Sequence, residues 1–193
     1  MEADAALELL LAANQLKRVP RAGWVMRGVA DAESVSDHTF GVAFVSLILA
    51  HMVEQSLDTA KVLTIALLHD LPEAVLGDIP NPASRYLPPY AKRGAEEQVL
   101  HALLQGAPQS EQWSTWWREY EDGTTLEARL VHDADRIDML IQAYVYAQTT
   151  GNRWLDEFWA ETTADTFELE ESRSLFDALR RARGHSGRNR EAG

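Results

Sequence analysis

The amino-acid sequence predicts an all-α fold in a single domain, a bundle of about six to eight helices. Apolar residues recur with helical spacing along most of the chain, and no stretch alternates as a half-buried strand would. A length of 193 residues suits one well-packed domain, and 46% hydrophobic with 25% charged residues is ordinary for a globular protein. We expect the domain at 1–182 and a disordered, polar, glycine-rich tail at 183–193.

Capping residues and a proline divide the first half of the chain into three helices. The second has Ser34 or Ser36 as its N-cap, and because apolar residues surround much of it, we expect it at the centre of the bundle. The third begins at Asp58 or Thr59 and ends close to Pro72, a residue that suits the first turn of a new helix. The expected spans are 3–16, 34–55 and 58–70.

The second half contains a loop and four helical segments. The loop is "NPASRYLPP", residues 81–89, whose prolines disfavour a regular helix. The second helical segment is rich in tryptophan, and the last is long enough to contain a break. The expected spans are 90–105, 110–121, 124–150 and 152–182.

Composition limits the classes of function. The chain has no cysteine, so a disulfide scaffold and a thiolate metal site are excluded, and any metal must bind histidine and carboxylate side chains. The net charge of −12 argues against broad binding to nucleic acid. The N-terminus lacks the pattern of a signal peptide and no run approaches about eighteen apolar residues, so we expect no membrane span and a cytoplasmic protein.

One segment carries positive charge without any acid. It is "LKRVPRAGWVMR", residues 16–27, with Lys17, Arg18, Arg21 and Arg27. These side chains could override the negative global field and bind a small anionic substrate, or they could form a solvated basic loop. Composition leaves both interpretations open.

A His-Asp pair closes the third helix. His69 and Asp70 follow the apolar run "IALL", where burial of Asp70 without a partner would be unfavourable. Imidazole nitrogen and carboxylate oxygen are the natural ligands of a divalent first-row metal when thiolate is absent, and His38 lies one turn into the second helix. The alternative is that Asp70 caps the helix or pairs with an arginine.

A second His-Asp pair, His132-Asp133, lies in the long helix close to Asp135. The two aspartates point about 200° apart around a helix, so one ion is not expected to use both. Periodicity does not choose between them.

Four ordered blocks carry a resemblance to a known family: "LKRVPRAGWVMR", "ESVSDH", "HDLPEAVLGDI" and "DADRIDMLIQA". A histidine, a His-Asp pair and a distant aspartate resemble the HD-domain metal-dependent phosphohydrolases. The blocks together, over about residues 7–150, are similar to the YfbR-like 5'-deoxynucleotidases, especially the HD domain-containing protein 2 branch. The resemblance implies removal of the 5'-phosphate from (2'-deoxy)nucleoside monophosphates by metal-activated water, and a homodimer.

The resemblance also implies a divalent metal ion, Co²⁺, Mn²⁺ or Mg²⁺, and its ligands. The implied ligands are His38, His69, Asp70 and Asp135. On this interpretation His132 and Asp133 have a structural role or support the ligands from behind.

Further roles follow from the same resemblance. Glu73 would orient or deprotonate water, and Asp78 would accept a hydrogen bond from the sugar 3'-hydroxyl or join Glu73 at a second ion. Capping of a helix start and a turn is the alternative for both. Arg21 matches an arginine that clamps the substrate phosphate. Trp24 lies close to a tryptophan that crowds the ribose 2' position in the bacterial branch, although the spacing "RAGW" follows the other branch.

The histidine count disfavours the dinuclear HD enzymes. Dinuclear HD oxygenases and cyclic-nucleotide phosphodiesterases generally have extra histidines between the His-Asp pair and the last aspartate, where this chain has only His101 and His132. That favours one ion or a weak carboxylate-bound second ion. An HD hydrolase of another nucleotide, such as a di- or triphosphate, and a non-catalytic nucleotide-sensing domain are the alternatives.

Overall fold

The computed structural model describes residues 3–191, with side chains for 3–80 and 82–185. In that part of the chain, seven α-helices of ten or more residues carry the fold, and no strand forms beyond one isolated bridge. The predicted all-α class is therefore confirmed. The α-helices are α1 (Ala3–Gln15), α2 (Ala22–Val25), α3 (Val35–Met52), α4 (Thr59–Leu68), α5 (Glu73–Leu76), α6 (Asn81–Ser84), α7 (Ala91–Leu103), α8 (Ser110–Asp122), α9 (Leu126–Thr150), α10 (Asp156–Ala160) and α11 (Glu170–Glu191).

The helix starts follow from local capping. Ser34 caps α3 in a reciprocal arrangement, since its hydroxyl accepts from the Asp37 N–H at 3.2 Å and Asp37 Oδ2 accepts from the Ser34 N–H at 2.9 Å. Asp58 caps α4 by accepting from the Lys61 N–H at 3.0 Å. Of the predicted alternatives, Ser34 and Asp58 are thus the N-caps.

In the C-terminal region the break that the sequence allowed for is present, whereas the end of the last helix differs from the prediction. The predicted span 152–182 is broken into α10 and α11 by a 3₁₀ turn at Ala164–Thr166. In addition, α11 continues to Glu191, past the predicted start of the tail at 183, while residues 192–193 lie outside the described chain. The Arg183 guanidinium lies 4.8 Å from the centre of the Trp159 ring, a contact that helps to hold this end of α11 on the fold.

The predicted central position of the second helix is confirmed, because α3 packs against both α9 and α4. Val42 and Leu49 are fully buried in the main core, together with Leu130 and Ile137 of α9. The α3 helix has a mean hydropathy of 1.3 over 18 residues, so among the described helices it alone is long and apolar enough to cross a membrane by length and composition. The sequence prediction had not anticipated a run of this kind.

The basic segment is tied to the start of α3 by backbone hydrogen bonds. The Arg21 N–H donates to the Glu33 carbonyl at 2.9 Å, and the Val35 N–H donates to the Val19 carbonyl at 2.8 Å. These bonds form a short antiparallel bridge between Pro20 and Ser34. As a result, Arg21 is held next to the first turn of α3.

Candidate metal centre

Four of the predicted residues converge from three helices. His38 lies in the first turn of α3, His69 and Asp70 directly follow α4, and Asp135 lies in the third turn of α9. His38 Nε2 lies 3.1 Å from Asp135 Oδ1 and 3.8 Å from Asp70 Oδ2, and His69 Nε2 lies 3.2 Å from Asp70 Oδ2. The structure therefore brings the four expected metal ligands together.

The backbone at the end of α4 is fixed by the neighbouring helix α8. The indole N–H of Trp117, a residue only 1% exposed, donates to the His69 carbonyl at 3.2 Å. The chain then turns, and Pro72 precedes the first residue of α5, Glu73. Because a buried tryptophan and a proline define this turn, His69, Asp70 and Glu73 are presented from a rigid support.

The two imidazole rings offer a test of whether a metal fits this site. His38 Nδ1 lies 2.8 Å from a carboxylate oxygen of Asp138, and His69 Nδ1 lies 2.8 Å from the carbonyl oxygen of Ala66. Such oxygens only accept, so Nδ1 carries a hydrogen in both rings and Nε2 of the neutral ring presents a lone pair. Both Nε2 atoms are buried without a hydrogen-bond partner, although carboxylates face them.

Lone pairs facing carboxylate oxygens repel each other unless a cation lies between them. Two imidazole nitrogens and two carboxylates form a donor set that suits a divalent first-row metal. The ligand atoms of His38, His69 and Asp135 all lie within 4.8 Å of one another. The residues of this site therefore fit a metal ion.

The pKa values of the cluster show the same demand for positive charge. Burial and the Arg21 guanidinium lower the pKa of His38, but Asp135 and Asp138 outweigh them and raise it to about 10. Burial raises the pKa of Asp135, whereas the contact with His38 lowers it to about 2. The pKa of Asp70 is also lowered, since His69 and Arg21 outweigh its burial.

Glu73 lies beside this cluster as a buried carboxyl group. It is 3% exposed, and its Oε2 atom has no hydrogen-bond partner. Burial, followed by the charges of Asp70 and Asp78, raises its pKa to about 9. Glu73 therefore holds a proton near neutrality while the neighbouring acids are uncompensated, and positive charge at the site would lower its pKa.

Arg21 and Asp78 border the cluster on one side. Arg21 Nη1 lies 3.2 Å from Asp70 Oδ2 and 3.8 Å from Asp78 Oδ2. Asp78 Oδ2 also accepts a hydrogen bond from the Ala22 N–H at 2.8 Å, which ties it to the start of α2. Gly77, with a φ of 74°, makes the turn that lets Asp78 reach α2. One oxygen of Asp78 is thus engaged within the protein.

The structure does not support the expected contact of Trp24 with ribose. The Trp24 side chain is 2% exposed and packs on Phe158, with ring centroids 4.5 Å apart, and on Tyr146. Its indole N–H donates to Glu33 Oε1 at 2.8 Å. A ring buried in this way belongs to the core, where it supports Glu33, and it has no free face for a sugar.

The second His-Asp pair has a structural position. Asp133 is fully buried and accepts from the Glu168 N–H at 3.0 Å and the Leu169 N–H at 2.9 Å, at the start of α11. His132 packs edge-on against Tyr120 at 4.3 Å between ring centroids. Asp133 therefore supports the entry to a helix, while Asp135 faces the imidazole rings.

Sequence reasoning assigned no role to Asp138, the partner of His38 Nδ1. The residue lies three positions after Asp135, and the helical period does place it on the same side of α9. What the period could not provide was the contact with α3, since the two residues are 100 positions apart in the chain.

Comparisons with known proteins agree with this geometry. A family model described as HD domain matches residues 13–171. The 5'-deoxynucleotidase HDDC2 of Danio rerio is 35% identical over 162 residues, covering 82% of this chain and 78% of that protein. The 5'-deoxynucleotidase HDDC2 of Homo sapiens is 32% identical over 196 residues, covering 95% and 94%.

Solved structures show the same fold. A conserved hypothetical protein from Pyrococcus furiosus superposes with a TM-score of 0.77 at 39% identity, covering 92% of this chain and 98% of that one. A protein from Pyrococcus horikoshii gives a TM-score of 0.76 at 37% identity, covering 93% and 99%. From the family match and the relatives that span most of its length, the chain belongs to the HD-domain family.

Proposed function

We propose that the chain is a metal-dependent 5'-deoxynucleotidase, a phosphoric monoester hydrolase that converts (2'-deoxy)nucleoside 5'-monophosphates to nucleoside and phosphate. The observation that carries this proposal is the meeting of two buried imidazole Nε2 atoms with the carboxylates of Asp70 and Asp135, next to Glu73 and Arg21. Relatives that match most of the chain bear the name 5'-deoxynucleotidase, which supports the same activity.

The metal ligands in this proposal are His38, His69, Asp70 and Asp135. A divalent ion, with Co²⁺, Mn²⁺ and Mg²⁺ as the candidates, would supply Lewis-acid stabilisation of phosphate charge and water of lowered pKa. The rings are held for this task by hydrogen bonds at Nδ1, so each Nε2 stays aimed at the site.

Glu73 is the residue that would take a proton from the attacking water. Its carboxyl group is buried beside the ligands, and such a group can exchange a proton near neutral pH once cationic charge offsets its neighbours. No covalent enzyme intermediate is required, because water itself attacks phosphorus.

Arg21 would bind the phosphate. In the structure its guanidinium contacts Asp70 and lies close to Asp78, so it stands at the rim of the cluster with 20% of the side chain exposed. A guanidinium keeps its charge and offers a two-pronged set of donors that suits phosphate oxygens. For Asp78 we keep two roles, a hydrogen bond to the sugar 3'-hydroxyl through the oxygen that Ala22 does not use, or a second ion shared with Glu73.

The decisive experiment is a phosphate-release screen with ribo- and deoxynucleoside mono-, di- and triphosphates in Co²⁺, Mn²⁺, Mg²⁺ or Zn²⁺. We expect release from deoxynucleoside monophosphates, its loss in Asp70→Ala, and normal rates in the control Asp177→Ala, which alters an exposed aspartate of α11. Release only from di- or triphosphates would assign another HD hydrolase activity. Nucleotide binding with no release in any metal would favour a sensing domain.

We also propose a homodimer formed through an apolar face of α3 and α9. Along α3 the exposed residues repeat every fourth position, with Phe40 71% and Phe44 55% exposed, and the two rings stack 6.1 Å apart. The face continues into α9. Its remaining members are Ile48, Met52, Ile141 and Val145, each between 37% and 43% exposed.

A second copy is the occupant we infer, because a helix face of this kind can pair with itself about a two-fold axis. Sedimentation equilibrium should give a dimer for the wild type and a monomer for Phe44→Glu. The control Leu10→Glu, at a 67% exposed position of α1, should remain dimeric. A monomeric wild type at tens of micromolar would contradict the dimer.

Small nucleotides in the cytoplasm, rather than nucleic acid or a membrane, are the partners that we infer. The support is a net charge of −12, no cysteine, and relatives whose names describe a nucleotidase. Cell fractionation with a tagged chain would test the compartment, and recovery in the membrane pellet would contradict it.

A further inference from the structure

We propose that Asp138 is a positioning residue that fixes His38 for metal binding, and that Gly41 is a glycine because Asp138 needs the space beside it. The inference rests on the proposed metal site. It concerns how α9 and α3 hold one ligand rather than the identity of the substrate.

Gly41 is an unexpected residue at its position. It lies inside α3, where glycine costs about 1 kcal/mol relative to alanine. Its backbone does not have the positive φ that would require glycine. A reason must therefore come from packing, and the neighbouring helix provides it.

A side chain at Gly41 would collide with Asp138. An ideal Cβ built there would lie 2.0 Å from Asp138 Oδ1, 2.6 Å from its Cγ and 2.9 Å from its Oδ2. All three atoms belong to one carboxylate, which occupies the space where a methyl group would otherwise be. The Asp138 side chain is 13% exposed, and moving its carboxylate away from position 41 would disturb its contact with His38 Nδ1.

The Asp138 carboxylate, for which Gly41 leaves space, contacts the imidazole ring of His38 at Nδ1, the nitrogen that faces away from the metal site. Asp138 Oδ2 lies 2.8 Å from His38 Nδ1, and the His38 side chain is 1% exposed. Accepting the Nδ1 hydrogen fixes the tautomer and the ring orientation, so the Nε2 lone pair points at Asp135 and Asp70. A carboxylate partner also makes the imidazole a stronger donor to a metal.

A second ion behind His38 is the competing interpretation. Ligand atoms of Glu33, His38 and Asp138 also lie within 4.8 Å of one another. An ion there would need the Nδ1 lone pair, yet this atom must carry a hydrogen if it donates to Asp138 and leaves Nε2 free. Glu33 already accepts from the Trp24 indole at 2.8 Å. The cluster therefore serves the ring and not a second ion.

The test measures Mn²⁺ affinity by calorimetric titration of protein stripped of metal, together with its thermal unfolding. Asp138→Ala should weaken Mn²⁺ binding by about 10- to 100-fold. Asp138→Asn, which keeps an acceptor oxygen of the same shape, should recover much of this loss. Gly41→Ala should weaken Mn²⁺ binding and lower the Tm, since the carboxylate is pushed off His38.

A matched glycine provides the control. Gly94 also lies inside a helix, α7, but a Cβ added there meets no atom within 4 Å. Gly94→Ala should leave Mn²⁺ affinity unchanged and should keep or raise the Tm, because only the helix preference of alanine acts.

The double variant Gly41→Ala/Asp138→Ala separates the inference from general damage. With the carboxylate removed, the methyl group at 41 has space, so the double variant should bind Mn²⁺ as Asp138→Ala does and should have a higher Tm than that variant. Gly41→Ala should therefore lower the Tm when Asp138 is present and raise the Tm in the Asp138→Ala background. This comparison also holds if Gly41→Ala alone fails to fold.

Two results would overturn the inference. One is wild-type Mn²⁺ affinity in Asp138→Ala, and the other is a Gly41→Ala effect of the same sign and size in both backgrounds. Failure of the proposed function can be told apart from failure of this inference. If the protein binds Mn²⁺ normally but releases no phosphate, the expected Mn²⁺ affinities and Tm values of the Asp138 and Gly41 variants still hold. Normal Mn²⁺ affinity in Asp135→Ala would instead contradict the metal site itself.

Discussion

Asp133 and Asp135 lie two positions apart on α9 and face different neighbours. Asp133 holds two backbone N–H groups at the start of α11, whereas Asp135 meets His38 at 3.1 Å. One helix therefore presents one carboxylate to the backbone and the other to the candidate metal centre. Sequence periodicity showed that the two carboxylates point in different directions, but it could not show which of them faces the metal centre.

This difference predicts opposite phenotypes for two alanine variants. Asp133→Ala should lower the free energy of unfolding by about 2 kcal/mol, since buried N–H groups lose their acceptor, while Mn²⁺ affinity changes little. Asp135→Ala should abolish tight Mn²⁺ binding and should affect the stability of the metal-free protein less. Urea unfolding in chelator and Mn²⁺ titration measure the two effects. The reverse order would contradict the roles assigned here.

Glu73→Gln should separate proton transfer from metal binding. The amide keeps the shape of the side chain but cannot accept a proton, so kcat should fall by about 10²- to 10⁴-fold. Mn²⁺ affinity should stay within a few-fold of the wild type. Steady-state kinetics with a deoxynucleoside monophosphate and a metal titration check both. Loss of one bound ion per chain would favour the second-ion role of Glu73 and Asp78 instead.

The residue pattern predicted part of the site and resemblance predicted more. His69 and Asp70 stood out because a charged pair ended an apolar run, whereas the choice of Asp135 came from resemblance alone. Resemblance placed Trp24 near the ribose 2' position, and its position along the chain could not reveal that the ring is buried. Asp138 and Gly41 were assigned no role because their roles depend on a contact between α3 and α9.

At the scale of helices, Lys61 joins three elements through a pair of acids. Its Nζ lies 2.6 Å from Glu119 Oε2 of α8 and 3.4 Å from Glu127 Oε2 of α9, while Lys61 itself belongs to α4. Glu127 also accepts from the Asp58 N–H at 3.2 Å. These contacts support the end of α4 opposite to His69.

A pH dependence follows from Glu127. Burial raises its pKa, but hydrogen bonds from backbone N–H groups and the charge of Lys61 lower it below the ordinary 4.5. The stabilisation is therefore present above pH 4.5 and is lost as the pH falls through the lower, folded-state pKa. Glu127→Gln should cost up to about 1 kcal/mol at pH 7 in urea unfolding, with the difference shrinking below pH 4.5. A constant difference would contradict this.

Helix boundaries could be predicted where a nearby side chain caps the helix. They were uncertain where contacts with other helices determine the boundary. Ser34 and Asp58 were correct candidates because an N-cap acts within three residues. The sequence allowed for a break between α10 and α11 but could not locate it. The backbone N–H groups of Glu168 and Leu169 donate there to Asp133, which lies on another helix. The extension of α11 beyond 183 involves an Arg183 contact with Trp159 that no local pattern shows.

For the whole molecule, metal binding should appear as stability. A ligand that binds only the folded chain adds about 2.7 kcal/mol when present at 100 times its Kd. Stripped protein should therefore show a rise in Tm with Mn²⁺, which Asp70→Ala should lack. Sodium chloride of equal ionic strength controls for screening of the net charge of −12. An equal rise in Asp70→Ala would indicate ions bound elsewhere.

The four candidate ligands come from α3, the end of α4 and α9, which are distant in the chain and packed side by side. A bound ion would link side chains from all three of these segments, so local opening of any one of them would break a metal contact. Amide hydrogen exchange in all three should therefore slow together when metal is present. Metal binding would thus show whether the three segments open cooperatively, and amide hydrogen exchange could measure this without any substrate.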